Sequence, residues 1–137
     1  VLMASGEELP ENVKAIIADC GYTSEWDEFK CEANALHIPW FPVLNAASVL
    51  SRLRDGYDFK QASALEQVKQ SRIPTLFIHG SDDELVPYSM LDKLYSAAVC
   101  KKECLTVNGA GHALSSSVEP ELYWNTVENF IEKYLEK

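Results

Sequence analysis

The sequence predicts an α/β domain built on three parallel strands. Two observations carry that prediction. Short apolar runs, VKAIIA at 13–18, TLFI at 75–78 and ECLTV at 103–107, alternate with stretches of helical periodicity. Strands that alternate with helices pair in parallel through right-handed crossovers. The last two runs also end in turn residues and chemically active side chains: Gly80-Ser81-Asp82-Asp83-Glu84 after one, Asn108-Gly109-Ala110-Gly111-His112 after the other. Adjacent parallel strands present such loops on one edge of the sheet, where α/β proteins hold their ligands.

Taken in order, the opening VLMASGEELP reads as the end of a helix stopped at Gly6, with no initiator methionine before it. The chain is therefore expected to be part of a longer protein. Val13–Ala18 is expected to be a strand buried on both faces. Ser24 is placed to cap a helix over Glu25–Leu36, with Glu25, Asp27 and Glu28 opposing the positive helix end. Trp26, Phe29, Ala33 and Leu36 form its expected buried face.

Pro39-Trp40-Phe41-Pro42 breaks that helix. A second follows over Val43–Leu53, with Leu44, Ala47, Leu50 and Leu53 inward, and stops at Arg54-Asp55-Gly56. A weaker third, Phe59–Lys69, carries Leu65 and Val68. Pro87–Val99 is read as a helix with proline in its first turn and Met90, Leu91, Leu94, Tyr95 and Ala98 on one face. Ser115–Ser117 reads as a capping run. Pro120–Leu135 is the most amphipathic segment, through Tyr123, Val127, Phe130, Ile131 and Tyr134. Three strands make a thin sheet, and the Val13–Ala18 strand is expected to have an unpaired edge.

The composition excludes several classes. A formal net charge of −9 opposes nucleic-acid and anionic-membrane partners, which need a basic patch. No run of about 18 apolar residues is present to span a membrane. Cys20, Cys31, Cys100 and Cys104 match no zinc or redox spacing, so reduced thiols in a cytoplasmic protein are expected. A signal or membrane anchor N-terminal to Val1 is left open.

Asp83 and His112 follow consecutive strands, one helical crossover apart, so their side chains can meet. An aspartate accepting the imidazole Nδ1–H fixes the tautomer and leaves the other nitrogen to act as a base. On pattern alone an exposed loop histidine beside ordinary surface acids is an equal alternative. A rival reading is an α/β binding or transferase domain whose Asp82, Asp83 and Glu84 hold a divalent ion.

The segments PTLFIHGSDDELVP and VNGAGHA resemble the C-terminal half of a serine α/β-hydrolase, nearest to bacterial esterase- and peptidase-like members with a short helical lid. The resemblance extends over the chain: VLMASG is similar to the end of the helix after the nucleophile, and VKAIIADCGYTS to the sixth strand and its exit loop. It implies a partial α/β-hydrolase fold, holding the sixth to eighth strands, flanking helices and a lid. Residues 1–23 and 58–137 would be core and residues 24–57 lid.

It also implies that Asp83 is the triad acid and His112 the base, with Asp19 as a fallback acid after the sixth strand. Trp40 and Phe41 would contact an acyl or ester substrate from the lid. No metal and no organic cofactor is implied. The Gly-x-Ser-x-Gly elbow of the family does not occur in these residues. The chain by itself is therefore expected to be inactive, and to associate with a second copy or with its N-terminal half through the Val13–Ala18 edge.

Overall fold

A computed structural model describes residues 1–135. Strands β1 (Ile16–Asp19), β2 (Thr75–Gly80) and β3 (Lys102–Val107) form one parallel sheet in the order β1-β2-β3. The central strand β2 is buried along its whole length, which is why its sequence is continuously apolar from Leu76 to Ile78. Pleating sends alternate side chains to opposite faces. Phe77 packs with Ile16 and Ala18, with Val68 of α3 (Ala64–Val68) and with Leu91 and Leu94 of α4 (Tyr88–Ala97). Leu76 and Ile78 pack on the other face with Leu105, Val107 and with Val127 and Phe130 of α6 (Pro120–Leu135). Helices thus cover both faces, and α4 and α6 bury the faces that their periodicity marks. No helix of the described residues is long and apolar enough to cross a membrane.

The first strand starts later than its apolar run. The Val13 N–H is taken by the Pro10 carbonyl in a turn, and Ile16 is the first residue to bond across, to Pro74 O at 2.9 Å. Ile17 is only half-buried, because β1 is an edge among the described strands. Leu2–Ala4 forms a 3₁₀ turn rather than an α-helical end. Gly6 next to it lies so close to Gln67 that a Cβ would stand 2.6 Å from the Gln67 carbonyl oxygen.

Two helices, α1 (Glu25–Ala35) and α2 (Trp40–Asp55), stand off the sheet as an inserted arm. Ser24 caps α1, its hydroxyl accepting the Asp27 N–H at 3.0 Å. Gly56 ends α2 with φ 80°, a left-handed conformation that suits glycine. The arm leaves and rejoins the core at a bridge between Ser24 and Ser63, and the Tyr57 hydroxyl donates to Glu25 across the same neck.

What the arm buries departs from the sequence reading. α1 has no buried residue, and Leu36 just beyond it is 69% exposed. In α2, Leu44 is buried, but Leu50 and Leu53 are exposed. Periodicity marks an apolar stripe, yet two helices away from the sheet have little but each other to pack on. α2 also begins three residues early, at Trp40, with an extended residue at Phe41 (φ −98°, ψ 131°). The third helical stretch shrinks to α3, because Ser63 caps it there and accepts the Glu66 N–H. Pro87 precedes α4 as its cap residue, and Ser115–Val118 is a one-turn helix, α5. Glu136 and Lys137 of the 58–137 segment lie outside the described residues.

Candidate active site

The site is built where β2 and β3 end side by side, with Gly80 opposite Val107. Their exit loops are stitched together by backbone. Ser81 N–H donates to Val107 O and Asp82 N–H to Ala110 O, each at 3.0 Å, and Gly109 N–H donates to the Ser81 hydroxyl at 2.8 Å. Gly80 is what lets the loops approach: a Cβ there would lie 2.1 Å from the Ala110 carbonyl oxygen. Gly80→Ala is therefore expected to push the His112 loop off the sheet edge and to destabilise the fold by about 1–3 kcal/mol, as overpacking against backbone does. Urea unfolding of the variant checks the stability, and amide shifts at 108–113 check the displacement.

The stitched loops bring Asp83 and His112 together. Asp83 Oδ1 accepts the backbone N–H groups of Leu85 (3.0 Å) and Val86 (2.8 Å), which orients the carboxylate. Its Oδ2 accepts His112 Nδ1–H at 2.9 Å. The Asp83 side chain is fully buried, whereas that of His112 is 38% exposed. Burial pushes the Asp83 carboxyl up, but the Val86 N–H, the His112 bond and charge, and the Cys20 thiol outweigh it and hold the group below the ordinary carboxylate value. With Nδ1–H committed to Asp83, the neutral His112 ring carries no proton on Nε2.

Three neighbours of this pair were not singled out by the sequence reading as partners of the site. His79, at the end of β2, is fully buried and its Nε2–H donates to Val86 O at 2.9 Å. The same nitrogen lies 3.4 Å from Asp83 Oδ2. Cys20 (φ 53°) accepts the Ala113 N–H at 3.2 Å and donates to Asp19 Oδ1 at 3.2 Å, tying the β1 exit to the residue after His112. Burial, with Asp19 and Asp83 beside it, pushes the Cys20 thiol up to about 12, so it stays a protonated donor at neutral pH. Glu28 of α1 is near enough for the His112 and Asp83 charges to act on it, while burial and then Glu32 raise its carboxyl. Each of these positions is set by tertiary contact between separate segments, which no local pattern encodes.

Cys20, His79 and Asp83 each place a ligand-type atom within 4.8 Å of the others. His79 Nε2 nevertheless faces the Val86 carbonyl, which can only accept, so that nitrogen carries a proton rather than an open lone pair. Hydrogen bonding accounts for the Nε2, thiol and carboxylate atoms of the cluster, while His79 Nδ1 is buried without a partner.

The remaining sequence candidates make no hydrogen bond to the pair. Asp19 is exposed and accepts from Cys20 and from the Tyr123 hydroxyl, not from His112. Asp82 and Glu84 are exposed while Asp83 turns inward, so the three acids do not converge. Trp40 lines a 230 Å³ apolar groove of the arm with Phe29, Leu36, Ile38 and Leu44, and Lys30 lies over its ring. Phe41 is 65% exposed. A cleft of 330 Å³ opens at the end of β1, between Leu2, Ile17, Asp19, Cys20 and Tyr22.

No family model matches the chain. It aligns over 96% of its length with the esterase Pf2001 of Pyrococcus furiosus, at a TM-score of 0.69 and 19% identity, and covers 49% of that chain. The chain carries the C-terminal half of the α/β-hydrolase fold. Among curated proteins, the chain is 27% identical over 132 residues to the uncharacterized protein YqkD of Bacillus subtilis, covering 96% of itself and 43% of that protein. It is 29% identical over 106 residues to the α/β hydrolase domain-containing protein 17C of Homo sapiens, covering 75% of itself and 32% of that protein. The chain thus spans less than half the length of the curated relatives it matches.

Proposed function

We propose that this chain supplies the acid and the base of a Ser-His-Asp hydrolase acting on carboxylic ester or related acyl bonds. The observation that carries the reading is the 2.9 Å bond from His112 Nδ1 to a fully buried Asp83 carboxylate, with the imidazole itself partly open to solvent. His112 Nε2 takes the proton of a serine hydroxyl as that oxygen attacks the substrate carbonyl. It then delivers the proton to the leaving group, and repeats both steps with water to release the acyl group. Asp83 holds the ring in the required tautomer and stabilises the imidazolium. It is fit for this because two backbone N–H groups and burial fix its carboxylate before the reaction begins.

The serine and the oxyanion-hole donors belong, in this reading, to the part of the parent protein N-terminal to Val1. That part docks along the outer edge of β1 and its 330 Å³ cleft, where backbone groups have no strand partner among the described residues. Trp40, Phe41 and the apolar groove of the arm face the acyl portion of the substrate. The four unpaired cysteines accord with a cytoplasmic protein.

The 137-residue chain alone is expected to hydrolyse p-nitrophenyl acetate no faster than its His112→Ala variant. The parent protein is expected to turn the ester over, and to carry Gly-x-Ser-x-Gly just before Val1. Hydrolysis by the chain alone, above the variant, would place the nucleophile within these residues and sink the division of labour.

A further inference from the structure

We infer that His79 is a positioning residue for this site: its Nε2–H, bonded to the Val86 carbonyl beside Asp83 Oδ2, sets how firmly that oxygen holds the base. The inference rests on the acid–base reading of Asp83 and His112 given above. His79 is fully buried at the end of β2, its ring set edge-to-face on Tyr88 at 5.8 Å and 84°. Its proton is located by chemistry. The Val86 carbonyl 2.9 Å from Nε2 can only accept, so Nε2 is the protonated nitrogen. The same nitrogen lies 3.4 Å from Asp83 Oδ2, near enough for its N–H dipole to act on the carboxylate without a hydrogen bond.

The other nitrogen makes the position hard to explain as filler. Nδ1 is buried with no hydrogen-bond partner. An orphaned buried acceptor is unfavourable, and leucine or phenylalanine would fill the space without it. What the imidazole contributes is its Nε2–H, bonded to the Val86 carbonyl next to the carboxylate that orients His112.

Oδ2 therefore accepts the His112 ring N–H at 2.9 Å, while the His79 Nε2–H, bonded to Val86 O, lies beside it with its nitrogen 3.4 Å away. Each N–H lowers the basicity of the oxygen. His79 keeps Asp83 ionised while moderating its grip on the His112 proton. The other groups facing the pair are the Cys20 thiol beside His79 and Asp83, the Tyr88 ring on His79, and Glu28 acting on His112 through charge.

The test is the titration of the Asp83 carboxyl, read from its ¹³Cγ resonance in the 137-residue chain. His79→Leu removes the donor and is expected to raise the pH at which Asp83 protonates by about one unit. His79→Gln retains an amide donor and is expected to restore it. An unchanged Asp83 titration in folded His79→Leu would assign the ring a packing role and overturn the inference. With His79 in place, Asp83→Asn must also shift the buried His79 Nε2–H resonance. A resonance that stays in place overturns the inference whether or not His79→Leu folds. His112→Ala separates the two readings: if Asp83 then titrates as before, the Asp83–His112 pair itself is wrong, independently of His79.

Discussion

Replacing His112 with alanine in the parent protein is expected to lower kcat on a small aryl ester by about 10³–10⁴-fold or more, with KM nearly unchanged. On the proposed mechanism the loss is in kcat, because His112 would move a proton in the transition state and not hold the ground-state substrate. Asp83→Asn is expected to fall into a similar range of about 10⁴-fold, although it removes no group that touches substrate. An asparagine at 83 can still accept from Leu85 and Val86 N–H. It can also turn an amide donor toward His112 Nδ1, which reverses the tautomer and leaves a proton on the nitrogen that must act as base. The double variant should be hardly worse than either single one, since both remove the same function. Steady-state kinetics of the four proteins measure this. Additive losses would mean that the two residues act separately.

The largest effect on stability is expected at Phe77. Its side chain is 1% exposed, lies on the central strand and meets Tyr95 edge-on at 5.8 Å and 81°. Around it converge Ile16, Ala18, Val68, Leu91 and Leu94, so truncation to alanine opens a cavity that three elements cannot close together. A loss of about 3–5 kcal/mol is expected, a large share of the roughly 5–15 kcal/mol available to an ordinary domain. Leu53→Ala in α2, at a residue 80% exposed, is the matched control and should stay within about 0.5 kcal/mol. Urea midpoints of the two variants measure the difference.

How much of this was legible in the sequence depends on how local the cause is. Residues 75–78 read as a buried strand because a central strand has no wet face, so every position must be apolar. Asp83 and His112 could be paired because parallel topology fixes which strand ends are neighbours, and a crossover helix fixes the spacing. The arm misled for the converse reason. Phe29, Leu36, Leu50 and Leu53 have helical spacing but no sheet beneath them, and periodicity says where a stripe lies without saying what covers it. Val13 failed as a strand residue because its N–H was already engaged by Pro10. His79 and Cys20 carry no local signal in the sequence that ties them to the site. Their relation to Asp83 and Ala113 arises only when the three strand ends are assembled, from residues up to 93 positions apart.

The central claim is that Asp83 holds His112 through Nδ1–H and leaves Nε2 as the base. The ¹⁵N shifts of the His112 ring, read through its carbon-bound protons in the neutral form, test it directly. The protonated nitrogen is expected to be Nδ1 in the unsubstituted chain, and Asp83→Asn is expected to move that proton to Nε2. A His112 ring protonated on Nε2, or one indifferent to Asp83→Asn, would contradict the account.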